Sequence, residues 1–77
     1  DLIVEILSPS TSDRDRTLKL SLYELRGVPE YWVVDTEDRF ILKYSRGESG
    51  YGEPEVCRES ISFLEATVDL TEVWRRL

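Results

Sequence analysis

Two nearly continuous apolar segments on either side of a helical pattern constrain the fold of this chain more than any other feature. Residues 2–7 and 30–35 are rich in aliphatic, β-branched and aromatic side chains. They lack the polar alternation of a half-exposed strand, which predicts strands buried on both faces of a sheet. Residues 14–26 predict a helix between them. A strand, a helix and a second buried strand form a βαβ unit with parallel strands and a right-handed crossover, so the predicted fold class is α/β.

The helix pattern predicts which side of residues 14–26 faces the core. Leu18, Leu22 and Leu25 recur at i, i+4 and i+7, the spacing of a buried stripe, and Leu20 and Tyr23 are expected to widen that stripe. Lys19 is expected at the edge of that stripe. Tyr23, four residues further on, is expected to pack in the core.

The rest of the chain completes a mixed sheet and adds a short helix. Residues 39–45 predict a strand paired in a hairpin with the preceding one, and residues 51–57 predict a weaker edge strand after a glycine-bearing turn. The apolar residues between 61 and 68 indicate a short strand or a covering loop. Asp69 is placed to cap a helix over residues 70–76. The expected architecture is one domain with one main amphipathic helix and a short C-terminal helix.

Composition excludes several classes of protein. The 77 residues contain one cysteine and no histidine, which excludes an internal disulfide, a Ser-His or Cys-His catalytic pair and any zinc site that needs histidine. No apolar run approaches the roughly 20 residues that span a bilayer. The single cysteine favours a reducing, cytoplasmic location. The net charge of −6 opposes broad nucleic-acid binding, so any such function must rest on locally placed cations.

A few polar residues stand out as candidates for a site. Glu5 interrupts a buried strand and needs a cation or a donor, because an unpaired buried carboxylate costs several kcal/mol. Ser10, Arg14 and Arg16 surround the start of the helix, where they could bind a phosphate group. Each has a structural alternative. Glu5 could be paired with Lys19 without any catalytic role, Lys19 could lay its stem on the core with its head in solvent, and the loop could serve only as a turn and cap.

Three blocks of the sequence resemble the Uma2 family, also called DUF820, which is described as a family of restriction endonucleases. They are residues 1–10, the set Asp15, Lys19 and Tyr23, and residues 27–35. The resemblance covers essentially the whole chain. It implies a bacterial protein of the PD-(D/E)XK nuclease superfamily, with a restriction-endonuclease-like core, DNA as substrate and Mg²⁺ or Mn²⁺ as cofactor.

The same resemblance assigns roles to two residues. It implies that Glu5 is a catalytic, metal-binding acid and that Lys19 is the catalytic lysine, supplied from the helix instead of from the position of Leu7. The family's other acid belongs to an upstream block. Asp1 cannot replace it, because four strand residues separate Asp1 from Glu5 by roughly 13 Å. We therefore expect the chain to be truncated at its N-terminus and, alone, to cleave little or nothing.

Three function classes follow from this reasoning. The first is a metal-dependent DNA endonuclease, of which this is the C-terminal part of the catalytic domain. The second is a degenerate nuclease fold that binds a partner or DNA without cutting it, an alternative that the acidic charge keeps open. The third is a dimerisation module. A homo-oligomer, most simply a dimer, is expected because a sheet edge and an apolar face would seek a second copy.

Overall fold

The computed structural model describes residues 2–7 and 13–76 as seven strands and two helices. The helices are Asp13–Leu25 (α1) and Leu70–Arg75 (α2), and within the described residues neither is long and apolar enough to cross a membrane. The strands are Leu2–Ile6 (β1), Glu30–Asp35 (β2), Phe40–Gly47 (β3), Gly50–Tyr51 (β4), Glu55–Cys57 (β5), Ser60–Phe63 (β6) and Ala66–Asp69 (β7).

The main sheet is mixed, as the sequence predicts. β1 and β2 are parallel, with Glu5 opposite Val33, and α1 connects them. β2 and β3 are antiparallel and are joined by a tight turn in which the backbone N–H of Asp38 donates to Asp35 Oδ1 at 2.9 Å. β3 also pairs with β4 and β5. The predicted α/β class and βαβ unit with parallel strands are confirmed.

The face of the sheet toward α1 is aromatic. Tyr31 of β2 is 2% exposed and lies opposite Tyr44 of β3 in the register. Its ring meets that of Tyr23 edge-on at 4.9 Å and stacks on that of Tyr44 at 5.9 Å. Aromatic pairs of this kind add about 0.5–1.5 kcal/mol beyond the burial of their area. These contacts attach α1 to the sheet and decide which side of the helix faces it.

The opposite face carries the larger apolar core. Ile41, Cys57, Ile61, Leu70 and Trp74 form one buried cluster there, with Trp32 and Val34 packed against it. The β6–β7 hairpin and α2 supply the outer layer. Burying a large aliphatic or aromatic side chain stabilises a fold by roughly 1.5–3 kcal/mol, so this cluster holds the hairpin and α2 to the sheet.

The short helix α2 begins as predicted. Asp69 is its N-cap, and its Oδ1 accepts the backbone N–H of Thr71 at 3.0 Å. Hydrogen bonds from Thr71 hold the pKa of the Asp69 carboxyl below its ordinary value. On the same helix Trp74 is buried, and its indole N–H donates to the carbonyl of Arg58 at 2.8 Å.

The leucine stripe of α1 was expected to be buried, and this prediction is wrong. Leu18, Leu22 and Leu25 are 58%, 41% and 85% exposed, and no residue of α1 is fully buried. Leu20 and Tyr23, which were expected to widen the stripe, are partly buried as predicted. The physical reason is the aromatic contact of Tyr23 with the sheet, which rotates the leucines outward and brings polar side chains of the helix over the strands.

The first strand was expected to be buried on both faces, which also needs correction. Val4 and Ile6 are 48% and 67% exposed. Both side chains lie on the face of the sheet on which the β6–β7 hairpin and α2 pack. Within the described residues, however, the hairpin and α2 cover β3 and β5 and do not extend over β1.

Two predicted segments have a different local structure. The strand predicted over residues 51–57 is divided into β4 and β5, with Pro54 between them, because proline cannot donate to a strand ladder. The apolar residues from 61 to 68 form the antiparallel β6–β7 hairpin rather than a single strand or a loop. The helix and strand ends at 13, 25, 40 and 47 differ from the predicted bounds by one or two residues, the usual uncertainty of such ends.

Candidate active site

A carboxylate on β1 lies beneath two donors from α1. Lys19 Nζ is 3.2 Å from Glu5 Oε2, and the hydroxyl of Tyr23 donates to Glu5 Oε1 at 3.1 Å. Each oxygen of the carboxylate thus has its own partner. The side chains of Glu5 and Lys19 are 29% and 50% exposed, so the cluster is open to solvent on one side.

The local fold explains this convergence. Glu5 alternates with Val4 and Ile6 along β1 and therefore projects to the opposite face, toward α1. Lys19 and Tyr23 are four residues apart in α1, so they lie on the same side of the helix about one turn apart. Glu5 and Lys19 are the two residues that the sequence analysis named as catalytic candidates, and the structure brings them together. Their catalytic roles remain predictions.

Tyr23 is the residue of the cluster that the sequence reasoning missed. It was expected only to pack in the core, and its ring does contact the buried Tyr31. Its hydroxyl, however, is a donor to Glu5. The i, i+4 spacing from Lys19 was a usable signal, because any group that reaches the carboxylate from α1 shares that side of the helix.

The environment keeps both tyrosine hydroxyls next to Glu5 protonated. Desolvation is the main cause that raises the pKa of Tyr23, followed by its hydrogen bond to Glu5. Desolvation, then the negative charge of Glu5, raises the pKa of Tyr31 to about 12. A phenol with a raised pKa is neutral near pH 7, so the Tyr23 hydroxyl is available as a donor.

A second carboxylate–lysine pair in the same molecule is more enclosed than the Glu5–Lys19 pair and serves as a structural comparison. Glu30 and Lys43 lie on the other face of the sheet, 3.6 Å apart, with side chains only 17% and 14% exposed. Trp32 donates to Glu30 at 2.9 Å, and Lys43 donates to the carbonyl of Ser62 in the hairpin at 2.5 Å. That pair joins the sheet to the hairpin, whereas the Glu5–Lys19 pair faces solvent and joins fewer elements.

Arg16, one of the predicted phosphate-binding residues, lines a cavity between the start of α1 and the sheet. Its volume is about 240 Å³, and its lining includes Arg16, Thr17, Tyr31 and Tyr44. The guanidinium of Arg16 is 3.7 Å from Asp13, and its Nε is buried without a hydrogen-bond partner among the described residues. Such an unsatisfied donor is costly and can be relieved by an acceptor such as a water or an anion oxygen.

The other two predicted phosphate-binding residues are not part of this cavity lining. Arg14 is exposed on the first turn of α1. Ser10 lies outside the described residues.

The side chains of the Glu5, Lys19 and Tyr23 cluster supply only part of the ligand set that a hard divalent cation needs. Glu5 offers carboxylate oxygens, which Mg²⁺ prefers, and each oxygen has a further lone pair beyond the one used by Lys19 or Tyr23. No group of three or more potential metal-ligating side chains occurs in the part of the chain that the structure describes. Mg²⁺ is often held by one or two carboxylates together with waters and phosphate oxygens, so Glu5 fits one ligand position.

The described residues thus form an α/β domain in which α1 covers a mixed sheet and the Glu5–Lys19 pair joins the helix to β1. The chain belongs to the Uma2 family, because the family model with the description "Putative restriction endonuclease" matches residues 1–75.

A solved structure agrees with this assignment. The fold resembles that of a protein from Anabaena variabilis described as "a putative nuclease belonging to DUF820", with a TM-score of 0.78 and 20% sequence identity. The match covers 96% of this chain and 43% of the other, so this chain spans less than half the length of that relative. No curated protein matches the chain.

Proposed function

We propose that this chain forms part of a metal-dependent DNA endonuclease of the PD-(D/E)XK type. In this proposal Glu5 is a metal ligand and Lys19 is the catalytic lysine. The observation that carries the proposal is the 3.2 Å approach of Lys19 to Glu5, a pair that is open to solvent on one side. It is supported by membership of the Uma2 family and by the fold shared with the Anabaena protein.

The two residues supply complementary chemistry. A bound Mg²⁺ or Mn²⁺ ion would polarise a phosphoryl oxygen and lower the pKa of an attacking water. Glu5 would hold the ion by occupying one position of the ion's coordination shell. Lys19 carries a positive charge on a flexible stem that is half exposed, so it can turn from the carboxylate to a phosphate oxygen and offset the charge that develops in the transition state.

Phosphate contact outside the reacting centre is proposed for the start of α1. Arg16 borders the cavity next to Tyr31, Arg14 is exposed on the same turn, and Ser10 precedes the helix. Because the chain has a net charge of −6, we expect few such contacts and weak binding of duplex DNA.

Cleavage of plasmid DNA in Mg²⁺ or Mn²⁺ tests the proposal. The protein is produced as its gene encodes it, together with Glu5→Gln and Lys19→Ala. Glu37→Gln, which changes an exposed carboxylate in the β2–β3 turn, is the matched control. We expect cleavage by the wild type and the control and its loss in the two site variants. Equal cleavage by all four proteins would show that Glu5 and Lys19 are not the site.

The proposed phosphate-binding role of Arg16 is tested by the salt dependence of DNA binding. Each phosphate neutralised by a cation contributes about 0.9 to the slope of log affinity against log salt concentration. Arg16→Gln should reduce that slope by about 1, whereas Arg75→Gln, in the exposed end of α2, should leave it unchanged. An unchanged slope in Arg16→Gln would remove Arg16 from the DNA interface.

A specific observation favours a second candidate function, association of two copies. Leu18, Leu22 and Leu25 form an exposed apolar stripe along α1, and such patches often mark interaction surfaces. We propose a homodimer through this stripe, extended by neighbouring surface because a standard interface needs about 800 Å² from each partner. Sedimentation velocity should show a dimer that Leu25→Glu converts to a monomer. A wild-type monomer at 100 μM would refute it.

A further inference from the structure

The Tyr23 hydroxyl is held in place more firmly than the ammonium of Lys19. The Tyr23 ring packs edge-on against Tyr31 at 4.9 Å, and Tyr31 is 2% exposed. The side chain of Lys19 is 50% exposed and has a long flexible stem. The two donors to Glu5 therefore differ in mobility: one belongs to the packed interface between α1 and the sheet, and the other extends into solvent.

This difference matters because the proposed chemistry asks two things of the same carboxylate. Glu5 must keep one orientation to serve as a ligand, while Lys19 must be able to leave it for a phosphate oxygen. If Lys19 were the only partner, its departure would release the carboxylate. A tyrosine has few rotatable bonds and, once its ring is packed, its hydroxyl position is fixed.

We propose that Tyr23 is a positioning residue, whose hydroxyl holds Glu5 Oε1 so that the carboxylate keeps its orientation when Lys19 turns away. This inference rests on the proposed function. Hydrogen-bonding partners of metal ligands commonly act in this way: their loss weakens metal affinity or activity by about 10- to 100-fold although they do not touch the ion.

Removal of the single hydroxyl tests the inference. Tyr23→Phe keeps the ring and its contact with Tyr31 and deletes only the donor to Glu5. Tyr51→Phe is the matched control, because the Tyr51 hydroxyl donates to the carbonyl of Val28 at 2.7 Å, away from the carboxylate. Mn²⁺ binding is measured by electron paramagnetic resonance for both variants, for wild type and for Glu5→Gln, with Mg²⁺ competition.

We expect Mn²⁺ to bind wild type and Tyr51→Phe equally, to bind Tyr23→Phe about 10-fold more weakly, and to show no specific binding to Glu5→Gln. A merely structural tyrosine would lower stability in Tyr23→Phe without changing Mn²⁺ affinity.

The possible failures are distinguishable. If wild type binds Mn²⁺ and Tyr23→Phe binds it equally well, the positioning role is wrong and the proposed function stands. If wild type binds no Mn²⁺, or Glu5→Gln binds as tightly as wild type, the metal site itself is wrong and the positioning role is lost with it.

Discussion

Replacement of Lys19 separates a catalytic role from a structural one, because the two roles predict opposite effects on stability and cleavage. The variant is Lys19→Met, which keeps most of the aliphatic stem and removes the charge. In the structure this lysine is 3.2 Å from the carboxylate of Glu5 and is 50% exposed. A pair whose purpose is stability would be more fully enclosed, as the Glu30–Lys43 pair is.

The expected loss of stability is small. Two unit charges 3.2 Å apart attract by about 1.3 kcal/mol in a medium as polar as water. The entropy of holding a lysine in one position offsets part of this, and exposed pairs measured by double-mutant cycles give roughly 0.2–1 kcal/mol. Lys19→Met should therefore lower the free energy of unfolding by less than about 1 kcal/mol.

The expected loss of cleavage is large. Removing one group that stabilises developing charge in a transition state costs about 100- to 1,000-fold in kcat. Urea denaturation of wild type, Lys19→Met, Glu5→Gln and the double variant gives the stability cycle, and plasmid cleavage in Mn²⁺ gives the activity. A coupling energy above 3 kcal/mol together with undiminished cleavage would refute the reasoning and make the pair a structural one.

Three further predictions concern the scaffold. Leu70→Ala should lower the free energy of unfolding by about 2–5 kcal/mol because its side chain is 2% exposed, whereas Leu64→Ala, at 87% exposure, should change it little; urea denaturation decides. Gly50→Ala should lower the free energy of unfolding by more than about 1 kcal/mol, because φ is +103° and the new Cβ would lie 2.5 Å from the carboxylate of Glu24 in α1. In the control Gly52→Ala, the new Cβ meets nothing within 4 Å. Equal stability of the two variants would contradict this prediction. Tyr31 should titrate near pH 12 when its ultraviolet absorbance is followed. Because folding raises this pKa from 10.0, the stability that the neutral phenol contributes should be lost as the pH rises through about 10 to 12. Titration of all the tyrosines near pH 10 would contradict the burial of Tyr31.

The sequence predicts the core topology well because the relevant signals are local and strong. The apolar runs of β1 and β2, with a helical pattern between them, predict a parallel pair joined by a helix, which is what forms. The cap at Asp69 follows from a residue preference that depends on a single hydrogen bond.

The failures occur where tertiary contacts override the local pattern. Helical periodicity identifies an apolar side of α1 but cannot tell whether the sheet meets that side. Here the ring of Tyr23 docks on the sheet and the leucines, such as Leu25, turn outward. The exposure of Ile6 has a similar origin, because burial of a strand depends on which distant segment covers it. The β6–β7 hairpin was missed because Leu64, at φ 57°, occupies a turn position that usually carries glycine.

The candidate site was half predictable. A charged residue in an apolar strand marks Glu5 from local pattern alone, and Lys19 follows from the resemblance to the Uma2 family. The hydrogen bond from Tyr23 could not be derived in the same way, because an aromatic residue on a helix packs in the core far more often than it serves as a donor. Its position one helical turn from Lys19 is the one local signal for the donor role, and the stronger preference of an aromatic residue for packing outweighed that signal.

The most direct test of the central claim is the location of a bound cation. Mn²⁺ is added to protein labelled with ¹³C at the glutamate carboxyl carbons, and paramagnetic broadening of each resonance is measured by NMR. We predict that Glu5 broadens at Mn²⁺ concentrations that leave Glu30, on the opposite face of the sheet, sharp, and that excess Mg²⁺ restores the Glu5 signal. Equal broadening of both residues, or a Glu5 signal that remains sharp, would contradict the assignment of this carboxylate as a metal ligand.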